Sequence, residues 1–348
     1  MKILAIDTSC DETSVAVTSN DNIISNKISS QIEIHKKWGG VVPSIARRMH
    51  EENIDLVVKE TLAGAKVKLS DINVFAVTKG PGLSIALEVG IKKIKELAKE
   101  YNKPVVAVNH MEGHIYSALS HNKNGNPKIK YAFPFLALLV SGGHTEIVLV
   151  KEFGKYEILG RTLDDAVGEA YDKVARMLEL GYPGGPMIEK LAKSGDATRF
   201  PLPVPMTKTR TTDMSYSGLK TAVLYLTQKV FTEDLKPKEK TQIIYDISAS
   251  FQKSAIDALM IKTKIALEDI AKEYKVKDLI LAGGVSANMT LRKKFRSTFG
   301  KNYRIHFPTD KKLFGDNAGM IGVAAYHNAL RNNFVDIESL TRDPNLSL

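Results

Sequence analysis

The chain has 348 residues, 43% of them hydrophobic and 25% charged, with a formal net charge of +10. That length implies about two domains with sizeable cores, and the composition excludes a disordered or fibrous chain. The positive excess favours an anionic partner such as nucleotide or nucleic acid. No apolar run reaches membrane-spanning length. Cys10 is the single cysteine, so no internal disulfide can form and a reducing compartment fits. An apolar strand opens at Ile3 and leaves no room for a leader ahead of it, so a cytoplasmic location is expected, with no membrane partner.

In chain order the pattern is α/β, with a faint duplication. Residues 3–17 (ILAIDTSCDETSVAV) read as strand, polar turn, strand, and residues 135–149 (FLALLVSGGHTEIVL) read the same way. Superimposing the two hairpins aligns Ser9 with Ser141 and Thr13 with Thr145. The first half continues through Gly39-Gly40 to a helix at 44–63 and a strand at 74–78. Then come the turn Gly80-Pro81-Gly82 and a helix at 83–101. A glycine turn before a helix N-terminus favours an anion, although an ordinary strand-to-helix turn reads alike.

Residues 104–108 (PVVAV) form a short buried strand, Asn109 is a good helix cap, and His110-Met111-Glu112-Gly113-His114 follows. Histidines at i and i+4 share one helix face and can bring two imidazoles to one metal ion. The zinc-protease signature H-E-x-x-H places its glutamate beside the first histidine. Glu112 lies instead about 200° around the helix from His110. It cannot activate a metal-bound water there, and a solvent-facing or lobe-packing contact is expected for it.

In the second half, residues 162–180 read as a helix carrying Asp165, Glu169, Asp172 and Lys173. It leaves through Gly181-Tyr182-Pro183-Gly184-Gly185-Pro186. Residues 196–216 read as an irregular loop and 219–273 as helices of an insert. The strand rhythm resumes at 278–282, followed by Gly283-Gly284 and Asn288, a ligand contact or a plain helix cap. Gly315-Asp316-Asn317 opens the last long helix, where Asp316 suits an N-cap as well as a ligand role.

Taken together, these segments resemble the universal tRNA adenosine threonylcarbamoyltransferase family, long labelled sialoglycoprotein endopeptidases. The resemblance rests on IDTSCDETSVAV, WGGVVPSIARRMH, GPGLSIALEVG, VNHMEGHIYSAL, LVSGGHTEIVLV, DDAVGEAYDKVARML, GYPGGP, SYSGLKTAV, LAGGVSANMTLR and GDNAGMIG, in family order from residue 3 to about 330. MEGHIYSAL is similar to the bacterial or organellar branch. The resemblance implies the two-lobed actin, Hsp70 and sugar-kinase (ASKHA) fold, with duplicated α/β halves closing on a nucleotide. Residues 1–130 would form the first lobe. Residues 131–330 would form the second, with the helical insert at about 160–275 and the last helix packing back near the cleft. Residues 331–348 would be a tail.

The implied reaction moves a threonylcarbamoyl group from threonylcarbamoyl-AMP to the exocyclic amine of the adenosine next to the anticodon, in tRNAs reading codons that start with A. His110, His114 and Asp316 match the metal ligands, for one iron or zinc ion. Leu139, Val140, Ser141, Gly142 and Gly143 match the stretch that holds the substrate backbone and phosphate. Asp172, Gly185, Glu189 and Asn288 match positions that hold the adenosine. Asp11 and Glu12 on the first hairpin turn, and His144 after the second double glycine, are the candidates for handling the amine and its proton. Implied partners are tRNA, the adenylate donor, a paralogous subunit of the same fold and a small ATPase. An ATP-dependent small-molecule kinase of the same fold and a metalloendopeptidase are the competing readings. The first has no use for the histidine pair, and the misplaced glutamate argues against the second.

Overall fold

The alternation along β1 (Lys2–Asp7) decides how the first sheet must be covered. Ile3 and Ala5 point to one face, Leu4 and Ile6 to the other, and all four are fully buried. A strand buried on both faces needs packing partners on both. β1 pairs antiparallel with β2 (Glu12–Ser19), and β2 with β3 (Asn22–Ser30). On its other edge β1 pairs parallel with β4 (Val74–Gly80), which pairs with β5 (Val105–Asn109). The two-residue β6 (His121–Asn122) completes the order β5-β4-β1-β2-β3-β6. After α1 (Ile32–His35), the helices α2 (Pro43–Ala65) and α3 (Ser84–Tyr101) bury Ile54, Val57, Ile91 and Ile94 against the Leu4 and Ile6 face. The short α4 (His110–Ser117) follows β5 directly.

The second sheet holds β7 (Phe135–Val140), β8 (Thr145–Glu152), β9 (Lys155–Arg161), β10 (Asp278–Ala282) and β11 (Arg304–His306). Its order, β11-β10-β7-β8-β9, repeats that of the first apart from the short β6: fifth, fourth, first, second and third strands in chain order. The duplication heard in the two hairpins is thus a duplication of whole sheets. Helices α5 (Val167–Met177), α6 (Gly184–Ala192), α7 (Ser217–Val230) and α8 (Pro237–Ile270) lie between β9 and β10, and α9 (Met289–Phe299) follows β10. The last helix is α10 (Ala318–Leu330).

This computed structural model describes all of residues 1–348. It divides into two units. The first comprises Met1–Lys130, Phe153–Lys155 and His306–Leu348, and the second Tyr131–Glu152 and Tyr156–Ile305. Residues 306–330 were expected in the second lobe but belong to the first unit. The reason is the open face of the first sheet: Ala318, Ile321, Ala324 and Ala325 of α10 pack on Ile3, Ala5, Ala16 and Ala76. Small residues on both sides let the helix come close. A Cβ at Gly322 would stand 2.6 Å from the Thr18 side chain.

The tail is also part of the first unit. Val335 bridges to Val105, and Leu340 is 4% exposed within the core beside α3. The tail also takes over the Gly80-Pro81-Gly82 turn. Gly82 N–H donates to the Pro344 carbonyl at 3.2 Å, Leu83 N–H donates to Ser9 at 2.8 Å, and the Asp343 carbonyl oxygen lies 1.7 Å from where a Gly80 Cβ would stand. The donors expected to suit an anion therefore serve the protein's own backbone.

The helix expected at 162–180 is shorter, Val167–Met177. Asp164 accepts from the Tyr216 and Ser217 backbone N–H groups and from both serine hydroxyls of 215 and 217. Asp165 binds Lys173 at 2.6 Å and Lys220 at 2.5 Å. Side chains committed to these tertiary partners draw the segment out of helical geometry.

Candidate active site

Asn109 ends β5 and caps α4, its side chain accepting from the Met111 and Glu112 N–H groups at 2.8 and 3.3 Å. The cap fixes the first turn, so His110 and His114 lie edge to face on one side of the helix, with ring centroids 4.7 Å apart. The third group comes from a remote part of the chain. Asn317, not Asp316, caps α10 by accepting from Met320 N–H, which frees Asp316 to turn toward the histidines. Its Oδ1 lies 3.2 Å from His110 Nε2 and 3.4 Å from His114 Nε2. Ser14 of β2 accepts from Ala318 N–H at 2.8 Å, and Asn26 of β3 donates to the Asn317 side chain at 3.3 Å. The start of α10 is thereby pinned to the sheet.

The ligand atoms of His110, His114 and Asp316 all lie within 4.8 Å of one another. Ligands bound at zinc or iron distances near 2.0–2.2 Å stand about 3.0–3.4 Å apart, the spacing of the carboxylate oxygen from each ring nitrogen. His114 is fully buried, and its two ring nitrogens, like His110 Nδ1, have no hydrogen-bond partner. Buried polar atoms left unpaired are costly, and a cation is what this donor set lacks. The residues fit a divalent metal with three protein ligands and open positions, and the set suits iron as well as zinc.

The three groups also perturb one another electrostatically. Burial works against a charge on His110, but the Asp316 carboxylate, with Asp7 behind it, pushes that imidazole up to about 9. For His114 burial and the neighbouring His110 prevail, and its pKa is lowered. Burial would raise the Asp316 carboxyl, yet the two histidines hold it well below the usual range.

Asp11 and Glu12 adjoin this cluster. Burial, then the Asp11 and Asp316 charges, lift Glu12 well above the ordinary carboxylate range. Asp11 is itself buried, so the turn is not a solvated loop. Cys10 is held protonated by burial and by the Asp11, Asp316 and Glu12 carboxylates, which argues against a thiolate nucleophile.

The sequence did not single out the supports of this turn. His50 Nε2 lies 3.0 Å from the Cys10 carbonyl, which can only accept, so that nitrogen carries the proton. His50 Nδ1 then accepts from Thr13 Oγ1 at 2.8 Å and Gln31 Nε2 at 3.3 Å. Asp7, 0% exposed, was also missed. Its Oδ2 stands 3.8 Å from His110 Nδ1, while Oδ1 accepts from Thr78 and from Ser9 N–H. A buried aspartate ending an apolar strand was the available signal.

Glu112 is off the histidine face, as the helical period requires, but it does not face solvent. It is 5% exposed and accepts from Asn328 of α10 at 3.1 Å.

The remaining candidates belong to the second unit. Gly142 and Gly143 form the exposed tip between β7 and β8, with nothing within 4 Å of where a Cβ would stand. Ser141 and His144 close that tip, His144 N–H donating to Ser141 Oγ at 3.0 Å, while Leu139 and Val140 are buried in β7. Asp172 accepts from Gly184 N–H at 2.7 Å, which leaves Gly185 open at the start of α6. Glu189 accepts from Met289 N–H at 2.8 Å. Asn288 caps α9 and donates to Gln252 at 2.8 Å. Each polar side chain thus has a protein partner that a bound ligand would supplement or replace.

The family model for tRNA N6-adenosine threonylcarbamoyltransferase matches residues 22–323. The chain belongs to that family. It is 47% identical to the enzyme of that description from Thermosipho africanus over 349 residues, covering 100% of both chains. The Kosmotoga olearia relative of the same description is 45% identical, with 97% of each chain covered. The protein is therefore a transferase acting on tRNA. Among solved structures, component A of (R)-2-hydroxyglutaryl-CoA dehydratase from Acidaminococcus fermentans aligns with a TM-score of 0.52 at 14% identity, covering 95% of this chain and 99% of that one. HypF from T. kodakarensis aligns with a TM-score of 0.60 at 15% identity, covering 95% of this chain and 48% of that one. These likenesses identify the fold class of the enzyme as that of actin, Hsp70 and sugar kinases.

Proposed function

We propose that the enzyme transfers the threonylcarbamoyl group of threonylcarbamoyl-AMP to the exocyclic amine of the adenosine next to the anticodon, in tRNAs whose codons start with A. The amine nitrogen attacks the carbamoyl carbon, an N–C bond forms, and the C–O bond to phosphate breaks. AMP departs with the electron pair, and the amine gives up one proton. The carrying observation is the His110–His114–Asp316 cluster, with both histidines buried and three of their ring nitrogens unpaired. A divalent metal bound there, iron or zinc, supplies Lewis-acid polarisation and neutralises phosphate charge.

The chain's own residues account for the rest. The amine is weakly nucleophilic because its lone pair is delocalised into the ring, so removal of its proton helps. Glu12, whose carboxyl is raised by burial and then by the Asp11 and Asp316 charges, or its neighbour Asp11, takes that proton. His144 is the remaining candidate for this role. Backbone N–H groups at Gly142 and Gly143 suit the phosphate, since nothing crowds them. Leu139, Val140 and Ser141 would hold the substrate backbone, and Asp172, Gly185, Glu189 and Asn288 the adenosine. The reading includes a cytoplasmic enzyme that works with a paralogous subunit and a small ATPase. No helix is long and apolar enough to cross a membrane.

Reconstitution with threonylcarbamoyl-AMP, an unmodified tRNA and the metal-loaded protein tests it, with nucleoside analysis as the readout. Threonylcarbamoylated adenosine is the expected product. A tRNA left unmodified by the metal-loaded protein together with its partner subunits would end the proposal.

A further inference from the structure

The three ligands sit on two separate elements, His110 and His114 on α4 and Asp316 just ahead of α10. Metal affinity requires those elements to be held within a few tenths of an ångström of one another. α4 has only eight residues, too few to be stable by itself. Close packing on α10 is one support: a Cβ at Gly113 would stand 2.8 Å from Ile321 Cδ1. The other is a buried polar lock on the side of α4 away from the histidines.

The lock is specified atom by atom. Asn328, 3% exposed, accepts at Oδ1 from Arg331 at 3.0 Å and from Asn333 at 2.8 Å. With its oxygen so occupied, its amide nitrogen must donate, and it does so to the Ala324 carbonyl and to Glu112 Oε2, each at 3.1 Å. The second Glu112 oxygen stands 3.8 Å from the Arg331 guanidinium. An acceptor is thus demanded at residue 112, and a carboxylate supplies one toward both Asn328 and Arg331.

We propose that Glu112 is a positioning residue for the metal centre, its carboxylate fastening α4 to the far end of α10 while His110 and His114 meet Asp316 at the near end. The proposal rests on the metal reading of that cluster. It gives the glutamate between the histidines a task that needs no contact with metal or water.

The test measures Zn(II) affinity by chelator competition and the visible spectrum of the Co(II)-loaded protein. Glu112→Ala should bind zinc ~10- to 100-fold more weakly, as lost outer supports do elsewhere, and should shift the Co(II) bands. Asn328→Ala, whose side chain approaches no ligand, should move both readouts in the same direction, and the double variant should be no worse than Glu112→Ala. Glu112→Gln keeps an acceptor for Asn328 and should retain most of the affinity. Should Glu112→Ala fail to fold, the Asn328→Ala and Glu112→Gln pair carries the comparison. Unchanged zinc affinity and Co(II) spectrum in the Ala variants, beside a wild type that binds both ions, would overturn the lock alone. A wild type that binds neither ion would remove the metal reading and the lock with it.

Discussion

The first unit buries two histidines whose ring nitrogens are mostly unpaired, whereas the second leaves Gly142 and Gly143 exposed and gives its polar side chains protein partners. Around His110, His114 and Asp316 three of the four ring nitrogens lack hydrogen-bond partners and the charges distort one another's protonation. Around Gly142, Gly143 and Gly185 there is open space, while Asp172, Glu189 and Asn288 already hold backbone or side-chain partners. A buried set with unmet valences fits a small cation and little else. A set of uncrowded glycines with satisfied neighbours fits a larger ligand that lies along the backbone. The two halves share one strand order, so the difference comes from side chains and not from topology.

The largest effect should come from breaking the buried set. His110→Ala, His114→Ala and Asp316→Ala should each weaken metal binding by more than about 100-fold, beyond the range of outer supports. Elemental analysis after dialysis reads this directly, and full occupancy in all three would place the metal elsewhere. Next comes the proton acceptor. Glu12→Gln or Asp11→Asn should slow single-turnover transfer ~100- to 10,000-fold with bound metal unchanged. If both variants stay within about tenfold of wild type, the base is not on this turn.

A smaller loss is expected from the second unit. Asp172→Ala and Asn288→Ala should each reduce adenine-nucleotide affinity by about 1–3 kcal/mol in calorimetry, with metal content intact. Metal loss in either variant would erase the contrast between the halves. Because both side chains also hold α6 and α9 in place, melting curves should accompany the titrations.

The mildest test uses acid. Burial alone would raise the Asp246 carboxyl, but Asp196 N–H, Arg199 and Gln242 hold it below the usual range. Its folded pKa is thus lower than the unfolded value of about 3.9. Its stabilising share is complete above that pH and fades as pH falls through the folded value. Urea midpoints of wild type should decline below about pH 4, and Asp246→Asn should decline less steeply. Parallel curves would show that Asp246 contributes nothing there.

Much of this was legible in the sequence because it depends on local rules. The 110–114 spacing and the Asn109 cap put two histidines on one helix face, and the paired hairpins announced a duplicated α/β chain. The helical period alone moved Glu112 away from them. What it could not convey was contact between segments hundreds of residues apart. Only the fold shows that Asn317 takes the cap while Asp316 turns to the two histidines, because that depends on Ser14 and Asn26 pinning the start of α10. Only the fold buries Glu112 against Asn328, closes the Gly80-Pro81-Gly82 turn with Pro344, and draws residues 306–348 into the first unit. Periodicity and caps are set within a few residues of chain, whereas burial and the choice of hydrogen-bond partner are set by whatever packs alongside.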